Sequence, residues 1–488
     1  LLIFNILFFY ITSCFIKRLK TKIMIKTTLL LLFIAFTSVI SFSQTYWKKV
    51  SAGTEFSMAL RSDGTIWSWG VNQNGQLGLG NNTSMTTPTQ LGNLTDWIDI
   101  ACGSFHTLAL KSDGTLWSWG LNSAGQLGVG TTTDSNQPIQ VGTENNWSKI
   151  AAGLVHSAGI KTDGTLWMWG YNGYGQLGNS TLSDASTPVQ IGTDNNWNQV
   201  SLGGVHTLAT KNNGDLYAWG NNFAGQLGLN STTDSNIPVQ VGTDTWKSIS
   251  AGYLFSCGIK TDGSAWSWGF NGNSQLGLGD TQDRSTPTQI GSGLDWDKIY
   301  AGSSFAYATW MDQSVWSWGF NGYGQLSTGT TQQQNYPVAV NTGSQYNQFA
   351  LAKGSTDASG TTLYGLHVLA ISSDSLSICS AGANYVSQLG IGTISDRYFL
   401  DCDVASLAGI ESLNEIKINI YPNPASEMLT ISLPENTSNS DCILFDNVGK
   451  EVMQFVIYGG ENVVDISELT SGIYVIQINS QISKLIKN

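Results

Sequence analysis

The sequence predicts an all-β protein: a seven-bladed β-propeller of four-stranded blades, followed by a small β-sandwich domain. Three observations predict it. The second tryptophan of a W-x-W-G motif falls at Trp69, Trp119, Trp169, Trp219, Trp268 and Trp318, in steps of 50, 50, 50, 49 and 50 residues. A fixed period of this size signals a repeat architecture. Each period also holds four short β-favouring stretches, which make one blade, and about four to eight blades close such a ring. Finally the texture changes along the chain. All 18 tryptophans lie within 47–318, and beyond 416 come strands of period two without tryptophan.

The third copy shows what one repeat is. Residues 147–151 form a short first strand, and Gly153-Leu154-Val155 turns the chain. Residues 156–161 form the second strand. Asp163-Gly164 reads as a tight hairpin turn, since both residues tolerate positive φ. Residues 165–169, β-favouring at alternate positions, form the third strand. After a long Gly/Asn/Thr loop, residues 188–191 form a short fourth strand at an edge, where Pro188 is tolerated without an amide hydrogen. In the fourth copy Tyr217 replaces the first tryptophan of the motif. A seventh copy is worn. Cys379-Ser380-Ala381-Gly382 stands for W-x-W-G, Ala381 comes 63 residues after Trp318, and the added length lies mostly in a Gly/Ser/Thr-rich insertion at 353–362. The copies begin at Trp47, Trp97, Trp147, Trp197, Trp246, Trp296 and Tyr346. No blade buries its own faces, so neighbours stack, with Trp, Leu and Ile filling the space between sheets. The phase of repeat against blade leaves open whether the ring closes by strand exchange between the first and last copies.

The recurring pattern A-G-x-x-H-[ST]-x-A-L-[KR]-x-D-G-x-[LV]-[WY]-x-W-G-x-N-x-x-G-Q-L-G resembles the regulator of chromosome condensation repeat, over all seven copies. The resemblance implies a seven-bladed propeller. It also implies work by binding macromolecules: members of that family bind a small GTPase and nucleosomes, other protein partners in plants, or β-lactamases in a secreted bacterial inhibitor. A fold does not choose the partner, because function resides in the site.

At the N-terminus, residues 1–23 read as upstream translation from a misplaced start. Met24, Lys26, the apolar run 29–40 and Ser41-Phe42-Ser43 have the layout of a signal peptide over 24–43, cut after Ser43. The apolar runs at 1–15 and 29–40 are short for a span of about 20 residues, so no stable transmembrane span is expected in the mature chain. The propeller then covers 44–404 and a linker 405–415. Over 416–488, strands are expected at 416–420, 428–433, 442–445 and 463–466 and within 469–478, a spacing that suits a small sandwich. Tyr421-Pro422-Asn423-Pro424-Ala425, the hairpin Ser471-Gly472-Ile473-Tyr474 and the basic tail Lys484-Leu485-Ile486-Lys487 resemble the C-terminal sorting domain of Bacteroidetes type IX secretion. That resemblance implies a secretion machinery as partner, passage through the periplasm, and a product released or attached at the outer surface.

The formal charge is −12, and the five cations of residues 1–43 are lost on cleavage, leaving 17 basic against 34 acidic residues. This excludes nucleic acid as a partner, because phosphate backbones require a basic surface. Five cysteines remain. Cys102 and Cys257 take positions held in other copies by Ala and Leu and read as small buried hydrophobes. Cys379 and Cys402 lie on neighbouring strands of the last blade and are candidates for a disulfide.

Catalytic, metal and cofactor sites are not expected. His106, His156, His206 and His367 all occupy one repeat position, where other copies carry Phe56, Phe255 and Phe305. Phenylalanine preserves packing and can neither ligate nor transfer a proton, so these histidines are structural, like the six motif tryptophans. The loop carboxylates Asp134, Asp184, Asp234, Asp280 and Asp283 lack calcium-loop spacing and read as turn and cap residues. No nucleophile–base pair is in sight, so the chain is not expected to be an enzyme.

A binding face follows from strand parity. The turn after the first strand and the loop after the third share one face. Their variable positions include Glu55, Phe105 and Tyr253 on one ring and Tyr174, Phe223, Tyr323 and Tyr385 on the other. Aromatic side chains at such positions bury area at low entropic cost. An unknown protein partner is the expected ligand, with a surface glycan (a lectin-like propeller) or a structural adhesin role as alternatives.

Overall fold

The computed structural model describes residues 45–340, 345–354, 365–402, 404, 419–421, 425–433, 440–446, 450–478 and 481–487. The signal-peptide reading at 24–43, the linker at 405–415 and most of the insertion at 353–362 lie outside these residues.

Within the described residues the chain is all-β. In the third unit the strands are Trp147–Ala152, His156–Lys161, Leu166–Gly170 and Ala185–Gln190, paired antiparallel in chain order. Each first strand carries a bulge at its second residue, so that Trp147 stands opposite Lys161 while Lys149 pairs with Ile160. The fourth strand begins three residues before its expected start, because Gly170 pairs with Ala185 beyond an irregularity in the ladder.

The hairpin differs from the expected two-residue turn. Only Gly164 takes positive φ, at +80°. Lys161 N–H donates to the Thr165 carbonyl and Gly164 N–H to the Lys161 carbonyl, so the reversal also uses Thr162 and Asp163. Thr165 belongs to the turn: its amide and hydroxyl both donate to the Asp163 carboxylate. A Cβ on Gly164 would collide with the Asn195 carbonyl, which leaves no room for a larger residue there.

The same four-strand order recurs from the first unit (Trp47–Ala52 to Met85–Gln90) to the last (Tyr346–Leu351 to Arg397–Asp401). Between the fourth and fifth units the outer strand runs straight into the next first strand as Ser235–Ala251. This is where the tryptophan step shortens to 49 residues, leaving no slack for a turn. The first and last sheets each keep their own four strands, so closure involves no strand exchange.

The core lies between sheets. Leu108, Leu110 and Leu116 of the second unit pack on Trp147, Ile150 and Trp169 of the third. All six motif tryptophans are fully buried. Each indole N–H donates to the backbone carbonyl of the Q-L-G glutamine in the preceding unit: Trp169 to Gln126, Trp219 to Gln176, Trp318 to Gln275. The glycine of Q-L-G sits against that indole, leaving no room for a Cβ on Gly128 beside Trp169. The seventh sheet meets the first in the same way, through Trp69 Nε1 and the Gln388 carbonyl at 3.0 Å.

The C-terminal segment forms two antiparallel sheets. One pairs Asn419–Tyr421, Met428–Leu433 and Gly460–Asp465. The other orders Glu451–Ile457, Ser440–Phe445, Gly472–Ile478 and Gln481–Lys487. Leu429, Ile431, Leu444, Tyr474, Ile476 and Leu485 share one core. Glu451–Ile457 is a strand that the spacing argument passed over.

Candidate binding surface

The face expected from strand parity is built from two concentric rings of backbone. In the inner ring each turn after a first strand donates an amide to the next unit's turn. Thr54 donates to Ser104, Gly204 to Gly252, Tyr253 to Gly302 and Ser303 to Ala352. Thr54 Oγ1 completes the circuit at the Lys353 carbonyl, 2.7 Å away. The outer ring is tied to it strand by strand. Val71 N–H donates to the Glu55 carbonyl, Leu121 to Phe105, Tyr171 to Val155 and Ala383 to Leu366.

The outer loops are held by their own polar side chains. Asn172 Oδ1 accepts the Leu177 amide, and its Nδ2 donates to the Thr181 and Ser183 carbonyls. Gln176 Oε1 accepts the amide of Tyr174, and Asp184 accepts that of Asn172. Asp134, Asp234 and Asp283 do the same for Asn122, Asn222 and Asn271, while Asp280 binds Arg284. The loop carboxylates are thus spent on loop amides, as turn and cap chemistry requires. Among the described residues no cluster of three or more metal-ligating side chains forms.

On this frame Phe223, Tyr174 and Tyr385 project into solvent, at 58%, 42% and 41% exposure. Tyr323 is half-buried and meets Phe320 at a tilt, while Tyr174 meets Tyr171 edge-on. Glu55 and Phe105 are half-buried on the inner ring. The structure brings two of the candidates together directly, since Tyr385 Oη donates to Glu55 Oε1 at 2.8 Å. Tyr253 stands one position earlier in its turn than Glu55 and Phe105, and its ring lies over Gly204.

The four histidines are fully buried between units. His106 Nε2 meets Ser157 Oγ at 2.9 Å, His206 meets Ser256 at 2.9 Å, and His367 meets Ser57 at 2.9 Å. His156 meets Thr207 at 3.3 Å. Each hydroxyl already donates its proton to a glutamine carbonyl, Ser157 to Gln126 and Ser57 to Gln388. The hydroxyl must therefore accept from Nε2–H, so the neutral imidazole takes the tautomer with Nδ1 unprotonated. Burial holds each histidine pKa down to about 3. Cys379 and Cys402 form a disulfide, and Cys102, Cys257 and Cys442 are buried thiols.

Two features escaped the sequence reading. Lys353 reaches from the seventh unit to the Leu202 carbonyl of the fourth, 2.7 Å away, and burial lowers its pKa to about 8. The other is a repeated cation box. Lys111, Lys161, Lys211 and Lys260 end the second strands, each ammonium lying over the first-strand tryptophan and the first aromatic of the W-x-W-G motif. Each is capped by an acid: Asp96, Glu144, Asp194 or Asp244. The recurring [KR] of the repeat was the available signal.

Comparison with known proteins places this architecture. The RCC1-like domain family model matches residues 35–297, the regulator of chromosome condensation (RCC1) repeat matches 312–353, and the secretion system C-terminal sorting domain matches 419–488. A segment of 49 residues is 41% identical to the ultraviolet-B receptor UVR8 of Arabidopsis thaliana, covering 10% of this chain and 11% of that protein. Among solved structures, yeast RCC1 (Prp20) bound by Kap60 aligns with a TM-score of 0.61 at 19% identity, over 78% of this chain and 88% of that one. Human WBSCR16 aligns with a TM-score of 0.58 at 23% identity, over 63% and 84%. At these identities the likeness is one of fold. The sorting domain marks the chain for export by type IX secretion, and no helix among the described residues is long and apolar enough to cross a membrane. From the family match over more than half its length, the chain belongs to the RCC1-like domain family.

Proposed function

We propose that the chain is an exported binding scaffold whose two-ring face engages a protein partner. One observation carries this reading: Tyr174, Phe223 and Tyr385 are exposed on loops locked by their own Asn, Gln and Asp side chains. Rigid aromatic anchors lose little entropy on binding, which is what a protein-recognition surface needs. The yeast relative whose fold it shares was crystallised with the protein Kap60 bound. The acidic balance opposes nucleic acid as the partner. The scaffold spans 44–404 in this reading. Export proceeds through a signal peptide at 24–43 and the sorting domain at 416–488, to the medium or the outer surface.

The test is affinity capture with the full chain, from culture medium and from intact cells, read by mass spectrometry. The triple variant Tyr174→Ala/Phe223→Ala/Tyr323→Ala is the control. The expected outcome is a protein enriched by the parent chain and at least tenfold less by the variant, with Tm shifted by no more than about 3 °C. Equal enrichment by both chains refutes the proposal.

A further inference from the structure

The sixth unit breaks the cation box. Its second strand ends in Trp310 where four other units place lysine, and Trp296 stands opposite it as Trp197 stands opposite Lys211. The acid that caps the lysine in the third, fourth and fifth units changes with it, while Asp295 keeps the position of Asp96 of the second unit. The connection before Trp296 has the same length as that before Trp197, and Gly293 takes the position of Asp194. Both members of the Asp194–Lys211 ion pair, 2.8 Å apart in the fourth unit, are thus replaced together by a glycine and an indole.

What remains is a cleft of about 410 Å³ walled by Trp296, Trp310, Trp316, Tyr336 and Pro337, with Gln289 and Ser292 among the other lining residues. Trp310 stacks on Trp316 with ring centroids 5.4 Å apart and planes 28° from parallel. Trp296 meets Trp310 edge-on at 5.5 Å. Tyr336 lies over Gly279 and is 62% exposed. The volume is that of a small-molecule site.

We propose that this cleft binds a neutral saccharide, independently of the protein-binding face. The ring faces present π density to the polarised C–H bonds of a pyranose, following the same quadrupole that orients aromatic pairs. The Gln289 amide, the Ser292 hydroxyl and the peptide groups of Gly291 and Gly293 meet the sugar hydroxyls. A purely apolar ligand would strip water from those groups without replacing it. A cationic ligand fits worse. Each lysine in the intact boxes has a carboxylate at 2.6–3.2 Å, whereas no residue lining the cleft is charged. Asp295, beside it in sequence, is exposed and lies outside the lining.

The test restores the repeat. Gly293→Asp/Trp310→Lys rebuilds the fourth unit's pair inside the sixth. A Cβ on Gly293 meets only ordinary contacts at 3.5 Å, from Trp296 and Trp310, so the variant is expected to fold. The full chain is titrated by calorimetry and saturation-transfer NMR with cellohexaose, xylohexaose, laminarihexaose and maltohexaose, and with choline as a cationic probe. Binding of at least one oligosaccharide is expected, weakened at least tenfold in the double variant. Should that variant fail to fold, Tyr336→Ala keeps the test alive. It is expected to weaken the same binding at least threefold with Tm unchanged. Silence toward every oligosaccharide overturns the proposal, as does choline binding alone. Saccharide binding that survives in the folded variants also overturns it.

Discussion

At the scale of single residues, the histidines show how a suggestive pattern becomes a packing device. Four imidazoles at one repeat position invite a catalytic or metal reading. Yet each is neutral, buried, and occupied with the next unit's hydroxyl. The phenylalanines at Phe56, Phe255 and Phe305 already argued for packing. The sequence also holds the partner's half of the rule, visible once the contact is known. Histidine is followed in the next unit by Ser157, Thr207, Ser256 or Ser57, whereas Phe255 is followed by Ala306 and Phe305 by Val368. Phe56 is followed by Thr107, whose hydroxyl donates to the Gln76 carbonyl as its counterparts do, with a phenyl ring in place of the imidazole. A pH dependence follows. The folded pKa is depressed to about 3, against about 6.5 for an exposed histidine, so the unfolded chain takes the proton first. Stability from this source is complete above about pH 6.5 and is lost as pH falls toward 3. The double variant His206→Phe/Ser256→Ala imitates the pair Phe255 and Ala306. It is expected to fold and to remove about 1.4 kcal/mol per pH unit from the slope of unfolding free energy between about pH 4 and 6. Urea titrations at several pH values measure that slope, and an unchanged slope refutes the assignment.

At the scale of elements, the repeat made most of the strands legible, because each begins or ends on a residue with one physical role. The first strand starts at a tryptophan that packs across its own sheet, and the second at a residue buried between units. The turn type was not legible. Asp-Gly fits either a two-residue reversal or the wider one found here, and the choice rests on Thr165 bonding back to Asp163. The cleft of the sixth unit was also hidden. Gly293 and Trp310 are seventeen residues apart in sequence, and only the bulged pairing that sets Trp296 against Trp310 shows that they replace one ion pair. The worn seventh unit carries its own reinforcement. It lacks the motif tryptophan, with Ala381 in its place, and the Cys379–Cys402 disulfide joins its third strand to the segment after its fourth. The loop so closed has a separation of 23 residues, for which chain entropy gives about 3 kcal/mol. Cys402→Ser is therefore expected to lower stability by about 2–4 kcal/mol, and a reducing agent should do the same to the parent chain. Calorimetry with and without reductant checks this, and a variant as stable as the oxidised parent would sink it.

At the scale of the whole molecule, the decisive junction is the seam between the seventh unit and the first. No strand is exchanged there, so closure rests on side chains and a few backbone bonds. Those are the bonds of the other junctions that carry a histidine. Ser57 Oγ donates to the Gln388 carbonyl at 2.7 Å and accepts from His367, as Ser157 donates to Gln126 at 2.8 Å and accepts from His106. The Gly392 amide reaches the Thr86 carbonyl across the seam, as Gly130 reaches Ser186 between the second and third units. A repeat protein whose units interact only with neighbours gains cooperativity when its ends meet, since opening any one junction then strains the others. If the ring is closed in solution, a seam residue is worth as much as its counterpart within the array. Ser57→Ala and Ser157→Ala each strand a buried Nε2–H and take one donor from a buried carbonyl, a loss of about 1–3 kcal/mol. The two variants are expected to lose equal stability, within about 0.5 kcal/mol, in chemical denaturation. A seam that opens freely would leave Ser57→Ala near the parent while Ser157→Ala falls. That inequality would mean that the array holds its shape by local stacking alone, with its two concentric rings broken at one point.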